Sequence, residues 1–419
     1  MLDRKTPPPS SRFDTISLPS PQEFNTSDQL KVYFIDEVQQ PIVKIDVLFK
    51  AGKWFEPKNG VSNLTASMLE KGTATKSSAE IANIFDQCGA FLEISPGFDF
   101  VSVSLYSLTK KLDDALSLFI EILQHSAFVQ HEFKQLTDIQ LQNIKVNNEK
   151  NSYVASKLIR KNVFGANHPY GNSLEESDVK NIIQEDLIGF YQARFSPFEV
   201  YVIGKIDQDI QNKIRSKFSE FTARNKNEVN SHNSTYRSTI QKVEKTNSVQ
   251  TSIRLGKKTV LRSHADYPQI IFLNHILGGY FGSRLMKNIR EEKGLTYGIH
   301  SSINPFLHDS FFSISADVSK GDQDLAIQEI KNEISELQTK PISSEELEVS
   351  KNHFLGSLQL DMANPFSVAE KIKNIKLHQL PENYYQNLFA SILSVQEQDL
   401  ITIAQRYFNI DELSQITVG

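Results

Sequence analysis

The two halves of the chain end in similar segments, and this repeat constrains the fold more than any other feature of the sequence. Residues 191–204, YQARFSPFEVYVIG, resemble residues 404–419, AQRYFNIDELSQITVG. Each segment runs from the end of a predicted helix through an aromatic residue and a short loop to a strand that closes on glycine. Gly204 and Gly419 are about half of the 419-residue chain apart. The repeat therefore predicts two similar α+β domains, each a largely antiparallel sheet with helices packed on it.

Apolar spacing predicts the same order of elements in both halves. A strand pair in AFLEISPGFDFVSVSLYSL precedes the amphipathic helix LDDALSLFIEIL, just as TYGIHSSIN and FFSISADV precede the helix QDLAIQEIKNEISELQ. Another helix is bounded by Ser77 or Ser78 at its start and by Gly89 at its end, the residue types that cap helices at those positions.

Composition divides the chain into four segments. Residues 1–24 are rich in Pro and Ser and predict an extended arm on the surface. Residues 223–248 are polar and poor in apolar side chains, which is typical of a linker. We therefore expect a first α+β domain at 25–222 and a second at 249–419.

Charge and cysteine content exclude several classes of protein. A net charge of −5 gives no basic patch for nucleic acid or for an anionic membrane. No apolar stretch approaches the length of a membrane span, and the N-terminal residues contain no signal-peptide core. Cys88 is the single cysteine and fits a buried thiol in a reducing compartment. We expect a soluble cytoplasmic protein that binds neither nucleic acid nor membrane.

The segment GVSNLTASMLEKGT, residues 60–73, predicts a helix with an unusual polar face. Asn63, Thr65 and Ser67 lie among apolar residues, where a helix facing the core would normally carry Leu or Val. The residues themselves offer no reason for this face, which is either a site for chemistry or the remnant of one.

Four stretches of the chain resemble the pitrilysin/insulinase-type zinc peptidases, in the branch that includes the mitochondrial processing peptidase subunits. They are KAGKWFEPKNGVSNLTASMLEKGT, VFGANHPYG, LGGYFGSRLMKNIREEKGLTYGI and the two strand endings on glycine. Together they span nearly all of the chain after the arm, and the third stretch is the most specific.

The resemblance explains the polar face of the first helix. Family members that hydrolyse peptides carry His-x-x-Glu-His there, with the two His binding zinc and the Glu activating water. Counting back from Gly72-Thr73, these places fall on Asn63, Ala66 and Ser67, and a third ligand would fall near Asn143. Amide and hydroxyl groups are poor zinc ligands and alanine cannot act as a base, so we expect no metal in this chain.

The second half of the chain carries two residues that match functional positions of the family. Arg290 and Tyr297 match positions that, in the family, contact the substrate at the zinc site of the opposing half. A Tyr hydroxyl can donate to an oxyanion, and an Arg can bind a carbonyl or carboxylate. Without the resemblance, Arg290 would be interpreted as a surface charge paired with Glu291 or Glu292, and Tyr297 as a sheet residue. Arg284 is expected to pack or pair at the start of its helix.

The resemblance implies the non-catalytic subunit of a heterodimeric zinc peptidase. A zinc-bearing homologous chain would be the partner and would hold the zinc, and the substrate would be an unfolded peptide. The alternative is an inert scaffold or peptide-binding protein of the same fold, and the isolated chain could form a homodimer through the same surface. An enzyme using other chemistry ranks last, because Ser67 and Cys88 have no base at a suitable spacing.

Overall fold

The computed structural model describes residues 15–26, 30–221, 232 and 236–419. Its strands are β1 (Gln22–Asn25), β2 (Lys31–Ile35), β3 (Ile42–Phe49), β4 (Phe91–Pro96), β5 (Val101–Leu108), β6 (Pro197–Gly204), β7 (Ile240–Val243), β8 (Gln250–Lys258), β9 (Thr296–Pro305), β10 (Ser310–Ser319) and β11 (Ser414–Val418).

The described α-helices surround these strands in sequence. They are α1 (Val61–Met68), α2 (Ser78–Cys88), α3 (Leu112–His125), α4 (Gln130–Glu149), α5 (Asn151–Phe164), α6 (Glu176–Lys180), α7 (Gln184–Arg194), α8 (Gln208–Ser219), α9 (Tyr267–Asn274), α10 (Gln323–Thr339), α11 (Ser344–Met362), α12 (Pro365–Leu377), α13 (Tyr384–Ser394) and α14 (Glu397–Tyr407). Two π-helical segments, His275–Gly279 and Met286–Glu292, follow α9. Within the described ranges, no helix combines the length and apolar character needed to span a bilayer.

The two sheets share one topology. The first has the strand order β1-β2-β6-β3-β5-β4 and the second the order β7-β11-β8-β10-β9. In each sheet one parallel pair, β2 with β6 or β7 with β11, joins otherwise antiparallel strands. Apart from β1, the order of strands is equivalent, which confirms the predicted pair of similar, largely antiparallel α+β units. Strands β2 and β3 are consecutive in sequence, but β6 lies between them.

The second sheet begins inside the tract predicted as a linker. Strand β7 pairs in parallel with β11 from Ile240 opposite Gln415 to Val243 opposite Val418. This part of 223–248 is therefore a strand, because pairing along β11 satisfies its backbone despite its low apolar content. Residues 222–231 and 233–235 of the same tract lie outside the described residues.

Each sheet packs one face on helices of its own half and the other face on a helix from the opposite half. On the first sheet, Ile372 of α12 contacts a cluster that contains Tyr33 and Tyr201. On the second sheet, Ile159 of α5 packs in a cluster with Ile416. The two halves thus exchange a helix, and apolar side chains from both are buried at each contact.

The N-terminal arm differs from the expected surface position. Ile16 is buried in the core of the second half, and Leu18 packs against that core and against the α12 cluster. Strand β1 then adds to the first sheet beside β2. Residues 1–14 of the predicted arm lie outside the described residues.

The connection between β9 and β10 docks on the first half. The Asp99 carboxylate accepts hydrogen bonds from the Tyr170 hydroxyl and, at 2.9 Å, from the Leu307 N–H. The His308 ring stacks on Trp54 with a centroid separation of 4.1 Å. Tyr170 belongs to the VFGANHPYG segment, so this segment forms part of the junction between the halves.

Candidate functional site

Gly60 and Glu56 determine the conformation of the loop before helix α1. Gly60 has a φ of 99°, in the left-handed region that glycine adopts most readily. The Glu56 carboxylate accepts hydrogen bonds from the N–H groups of Gly60 at 2.9 Å and Ser62 at 3.2 Å. These contacts satisfy N–H groups at the helix start, while Val61 and Leu64 are buried in the first core. The helix therefore has its own structural support, independent of its polar face.

The four positions predicted to replace a zinc motif lie in different surroundings. Asn63 is exposed and lines a cavity of about 250 Å³. Ala66 is fully buried and Ser67 is half-buried. Asn143 on α4 is exposed and is not among the residues lining this cavity, whereas Gln140, about one turn earlier, lines it together with Asn63.

The side chains on this face do not fit a zinc ion. Protein zinc sites use thiolate, imidazole or carboxylate ligands, and Asn63, Ser67 and Gln140 offer amide and hydroxyl groups instead. Ala66, at the position that the resemblance matches to the family's general base, carries a methyl group that cannot accept a proton. Over the described part of the chain, no group of three or more His, Cys, Asp or Glu side chains could hold a metal ion. The face carries neither a ligand set nor a base.

Two charged residues that line the same cavity, Glu56 and Lys53, stabilise the loop before α1. Burial raises the pKa of Glu56 to about 7, and burial lowers the pKa of Lys53 to about 8. The Lys53 ammonium donates to the carbonyl oxygen of Asn172 at 2.9 Å. Because Glu56 caps α1 and Lys53 binds a neighbouring loop, their contacts hold the local structure together.

The structure brings Arg290 and Tyr297 together at the surface of the second half. Arg290 lies in the last turn of the π-helical segment Met286–Glu292, and its Nε donates to the carbonyl oxygen of Tyr297 at 3.0 Å. The Tyr297 side chain, near the start of the edge strand β9, is 93% exposed. Glu291 is 4.0 Å from Arg290 Nη1, at the limit of an ion pair. The pair is thus in contact, with its tyrosine ring open to solvent.

A third residue at this surface was not singled out from the sequence. Phe281 is 62% exposed, and the guanidinium of Arg290 lies 4.7 Å from the centre of its ring. The separation of nine residues gives no periodic signal for this contact. At this position the sequence shows only a large aromatic residue beside a glycine in a turn.

Arg284 has the structural role expected for it. Its Nε and Nη2 donate to the two carboxylate oxygens of Glu346 at 2.7 Å and 2.8 Å. This paired geometry ties the helix start to α11. Gly278 precedes this region, and a Cβ there would lie 2.6 Å from the Ser301 hydroxyl, so the turn needs glycine because of close packing.

Family comparisons match both halves of the chain. Residues 31–178 match the profile described as "Insulinase (Peptidase family M16)", and residues 181–354 match the one described as "Peptidase M16 inactive domain". A Bacillus subtilis protein described as "Uncharacterized zinc protease YmxG" is 26% identical over 308 residues, which are 73% of this chain and 75% of that protein. A Helicobacter pylori protein described as "Non-peptidase homolog YmxG" is 23% identical over 94% of this chain and 92% of its own length.

Solved structures share the fold over nearly the whole chain. A crystal structure described as a peptidase M16 inactive domain from Pseudomonas fluorescens has a TM-score of 0.87 at 23% identity, covering 95% of this chain and 98% of that one. A structure described as a protease from Helicobacter pylori has a TM-score of 0.86 at 19% identity, covering 96% and 100%. Together with the matched profiles, these similarities confirm the resemblance noted from the sequence motifs. The chain therefore belongs to the insulinase-like M16 peptidase family, as a non-catalytic member whose helix α1 lacks the zinc-binding motif.

Proposed function

We propose that this protein is the non-catalytic subunit of a heterodimeric zinc peptidase that hydrolyses unfolded peptides. A homologous partner chain would carry the zinc and the general base. This chain would supply half of the chamber together with Arg290 and Tyr297. The observation that carries the proposal is the contact between Arg290 Nε and the Tyr297 carbonyl oxygen, with the Tyr297 ring 93% exposed.

The chemistry of the two side chains fits substrate contact. A Tyr hydroxyl can donate a hydrogen bond to the oxyanion that develops when water attacks a peptide carbonyl. A guanidinium can donate two parallel hydrogen bonds to a carbonyl or carboxylate. Since α1 offers no zinc ligands, these groups would act on a peptide held at the partner's site.

The exposure of the pair also supports this role over a purely structural one. An exposed tyrosine contributes little to the core, and an exposed ion pair such as Arg290 with Glu291 is worth at most about 1 kcal/mol. The Tyr297 ring and the Arg290–Glu291 pair therefore contribute little to the stability of the fold.

Reconstitution with a zinc-bearing partner tests the proposal. The wild-type chain and the Tyr297→Phe and Arg290→Ala variants would each be combined with a homologue that carries His-x-x-Glu-His, and hydrolysis of an unstructured fluorogenic peptide would be measured. We expect Tyr297→Phe to lower kcat by about 10²-fold, the loss typical of a missing oxyanion donor.

The chain provides a matched control pair in helix α14. Arg406 is exposed and binds Asp266, and the hydroxyl of Tyr407 binds the same carboxylate. Arg406→Ala and Tyr407→Phe should leave hydrolysis unchanged. Full activity of the complex with Tyr297→Phe would exclude the shared site.

The second candidate is a catalytically inert scaffold or peptide-binding protein, alone or as a homodimer. The description of the Helicobacter pylori relative as a non-peptidase homologue favours it. A scaffold would bind its partner equally well with Arg290→Ala and would not change the partner's hydrolysis rate, so the same reconstitution separates the two functions.

A further inference from the structure

The turn before the segment Met286–Glu292 directs one aromatic side chain inward and the next outward. The Tyr280 ring stacks on His275 with centroids 4.5 Å apart and an interplanar angle of 9°. A Cβ at position 282 would lie 2.8 Å from the Tyr280 ring, so Gly282 permits this close turn. Phe281, between them, is 62% exposed. Packing of the neighbouring tyrosine therefore fixes where Phe281 emerges from the surface.

The guanidinium of Arg290 is held by two different contacts. Its Nε donates to the Tyr297 carbonyl oxygen at 3.0 Å, and the guanidinium carbon lies 4.7 Å from the centre of the Phe281 ring. The planar, weakly hydrated guanidinium is the cation best suited to an aromatic face. Among the described residues the terminal nitrogens have no hydrogen-bond acceptor, and Glu291 is 4.0 Å away. Their N–H groups are available to a ligand.

We propose that Phe281 is a positioning residue for Arg290. Its ring restricts the guanidinium to one orientation, so that the terminal N–H groups are arranged in advance for a peptide carbonyl or carboxylate. The free part of the ring gives an apolar side chain of the bound peptide a surface beside that group. This inference rests on the proposed function and adds a preference for peptides with an apolar residue at that position.

Three variants at position 281 separate this role from folding. Phe281→Leu keeps an apolar side chain and removes the ring, whereas Phe281→Tyr keeps an aromatic face. Since Phe281 is largely exposed, neither variant should change the unfolding midpoint in urea. Phe281→Ala removes the bulk as well. Leu360→Ala, at a residue 75% exposed on α11, is the control for loss of an exposed apolar side chain.

The contact itself can be measured without a partner. In the full chain labelled with ¹⁵N-arginine, Arg290→Lys would identify the Arg290 Nε–H resonance. We expect Phe281→Leu to shift this resonance because the ring current is lost, and Phe281→Tyr to leave it near its wild-type position. An unchanged resonance in Phe281→Leu would overturn the inference.

The role in substrate positioning is measured in the reconstituted complex with an unstructured fluorogenic peptide. Phe281→Leu should lower kcat/KM by about 2- to 5-fold, the size of an exposed cation–π contact, and Phe281→Tyr should restore it. In the Arg290→Ala background, Phe281→Leu should have no further effect. The positioning role would be overturned if Phe281→Leu lowered kcat/KM equally in the wild-type and Arg290→Ala backgrounds. It would also be overturned if Phe281→Leu had wild-type kinetics while Arg290→Ala was impaired. Absence of any stimulation by the wild-type chain would instead overturn the proposed function.

Discussion

At the scale of single residues, helix α1 keeps its fold without the residues that zinc chemistry requires. Ala66 has no exposed surface, whereas Asn63 on the same helix is exposed at the cavity. The position that the resemblance matches to the family's base is thus part of the core in this chain. A single substitution that restores the acid would place a carboxylate among apolar side chains, where ionisation is costly.

Ala66→Glu should therefore destabilise the protein by about 3–5 kcal/mol, the range for an uncompensated buried charge. Asn63→Glu, on the exposed part of the same helix, is the control and should change the free energy of unfolding by less than about 0.5 kcal/mol. Urea denaturation of both variants measures the difference. Equal stabilities would mean that position 66 is open to solvent.

Sequence patterns could indicate some residues of the candidate site but not their contacts. The motif around Arg290 and Tyr297 is continuous in sequence, and the structure places the two side-chain positions together. Phe281 was missed, because a ring over a guanidinium depends on the path of the turn rather than on spacing. The third position, counted from the motif on α1, falls near Asn143, yet Gln140 lines the cavity. An offset of three residues keeps nearly the same face of α4 but moves the position about one turn along the helix, and counting across the loops before α4 does not resolve such an offset.

At the scale of elements, the β9–β10 connection joins the halves through a cluster of rings. Trp54 contacts His168 and stacks on His308. Burial lowers the pKa of His168 to about 4, with Lys258 acting in the same direction, and burial also lowers the pKa of His308. Both imidazoles are therefore held neutral in the folded chain at neutral pH.

This burial predicts acid sensitivity of the junction. His168 has a pKa near 6.5 when unfolded and about 4 when folded, so the unfolded chain binds more protons between these values. Stability is then fully present above about pH 6.5 and falls as the pH decreases towards 4. Urea unfolding across this range should show the loss, and His168→Asn should reduce it. An identical pH dependence in His168→Asn would contradict this origin.

The apolar pattern of the sequence predicts the long elements of the fold but not its short strands. Long periodic elements such as α3 and α10 were predicted, because their apolar faces repeat over several turns. Strand β7 was assigned to a linker, since four residues in a polar tract carry too little pattern. Its strand conformation depends on pairing with β11, which is more than 170 residues away in sequence and so leaves no local pattern.

At the scale of the whole molecule, the exchanged helices make the two halves one packed unit. Lys373 of helix α12 forms an ion pair with the first half, where its Nζ lies 2.7 Å from the carboxylate of Asp46 on β3. The Asp46 side chain is 2% exposed. Hydroxyls of Ser102 and Ser104 donate to the same carboxylate. Burial alone would raise the pKa of Asp46, but Lys373 and Ser102 outweigh it and lower the pKa.

Lys373→Ala should destabilise the protein by about 3–5 kcal/mol, because it leaves Asp46 buried without its cation. Lys340→Ala, at the end of α10, removes an exposed 2.8 Å ion pair with Glu336 and should cost less than about 1 kcal/mol. Thermal or urea unfolding of the two variants provides the comparison. Equal effects would show that the buried pair is not a major link between the halves.

Purification of the chain from its source cells, with mass and zinc analysis of whatever accompanies it, shows whether the protein works as one subunit of a zinc peptidase. We expect an equimolar partner of similar size that carries His-x-x-Glu-His, and one zinc ion per heterodimer. Zinc should leave with the partner when the subunits are separated, because Asn63, Ala66 and Ser67 offer no ligand set. Recovery of the chain alone, as a homodimer, or with a partner that also lacks zinc ligands would contradict a role in a shared peptidase site.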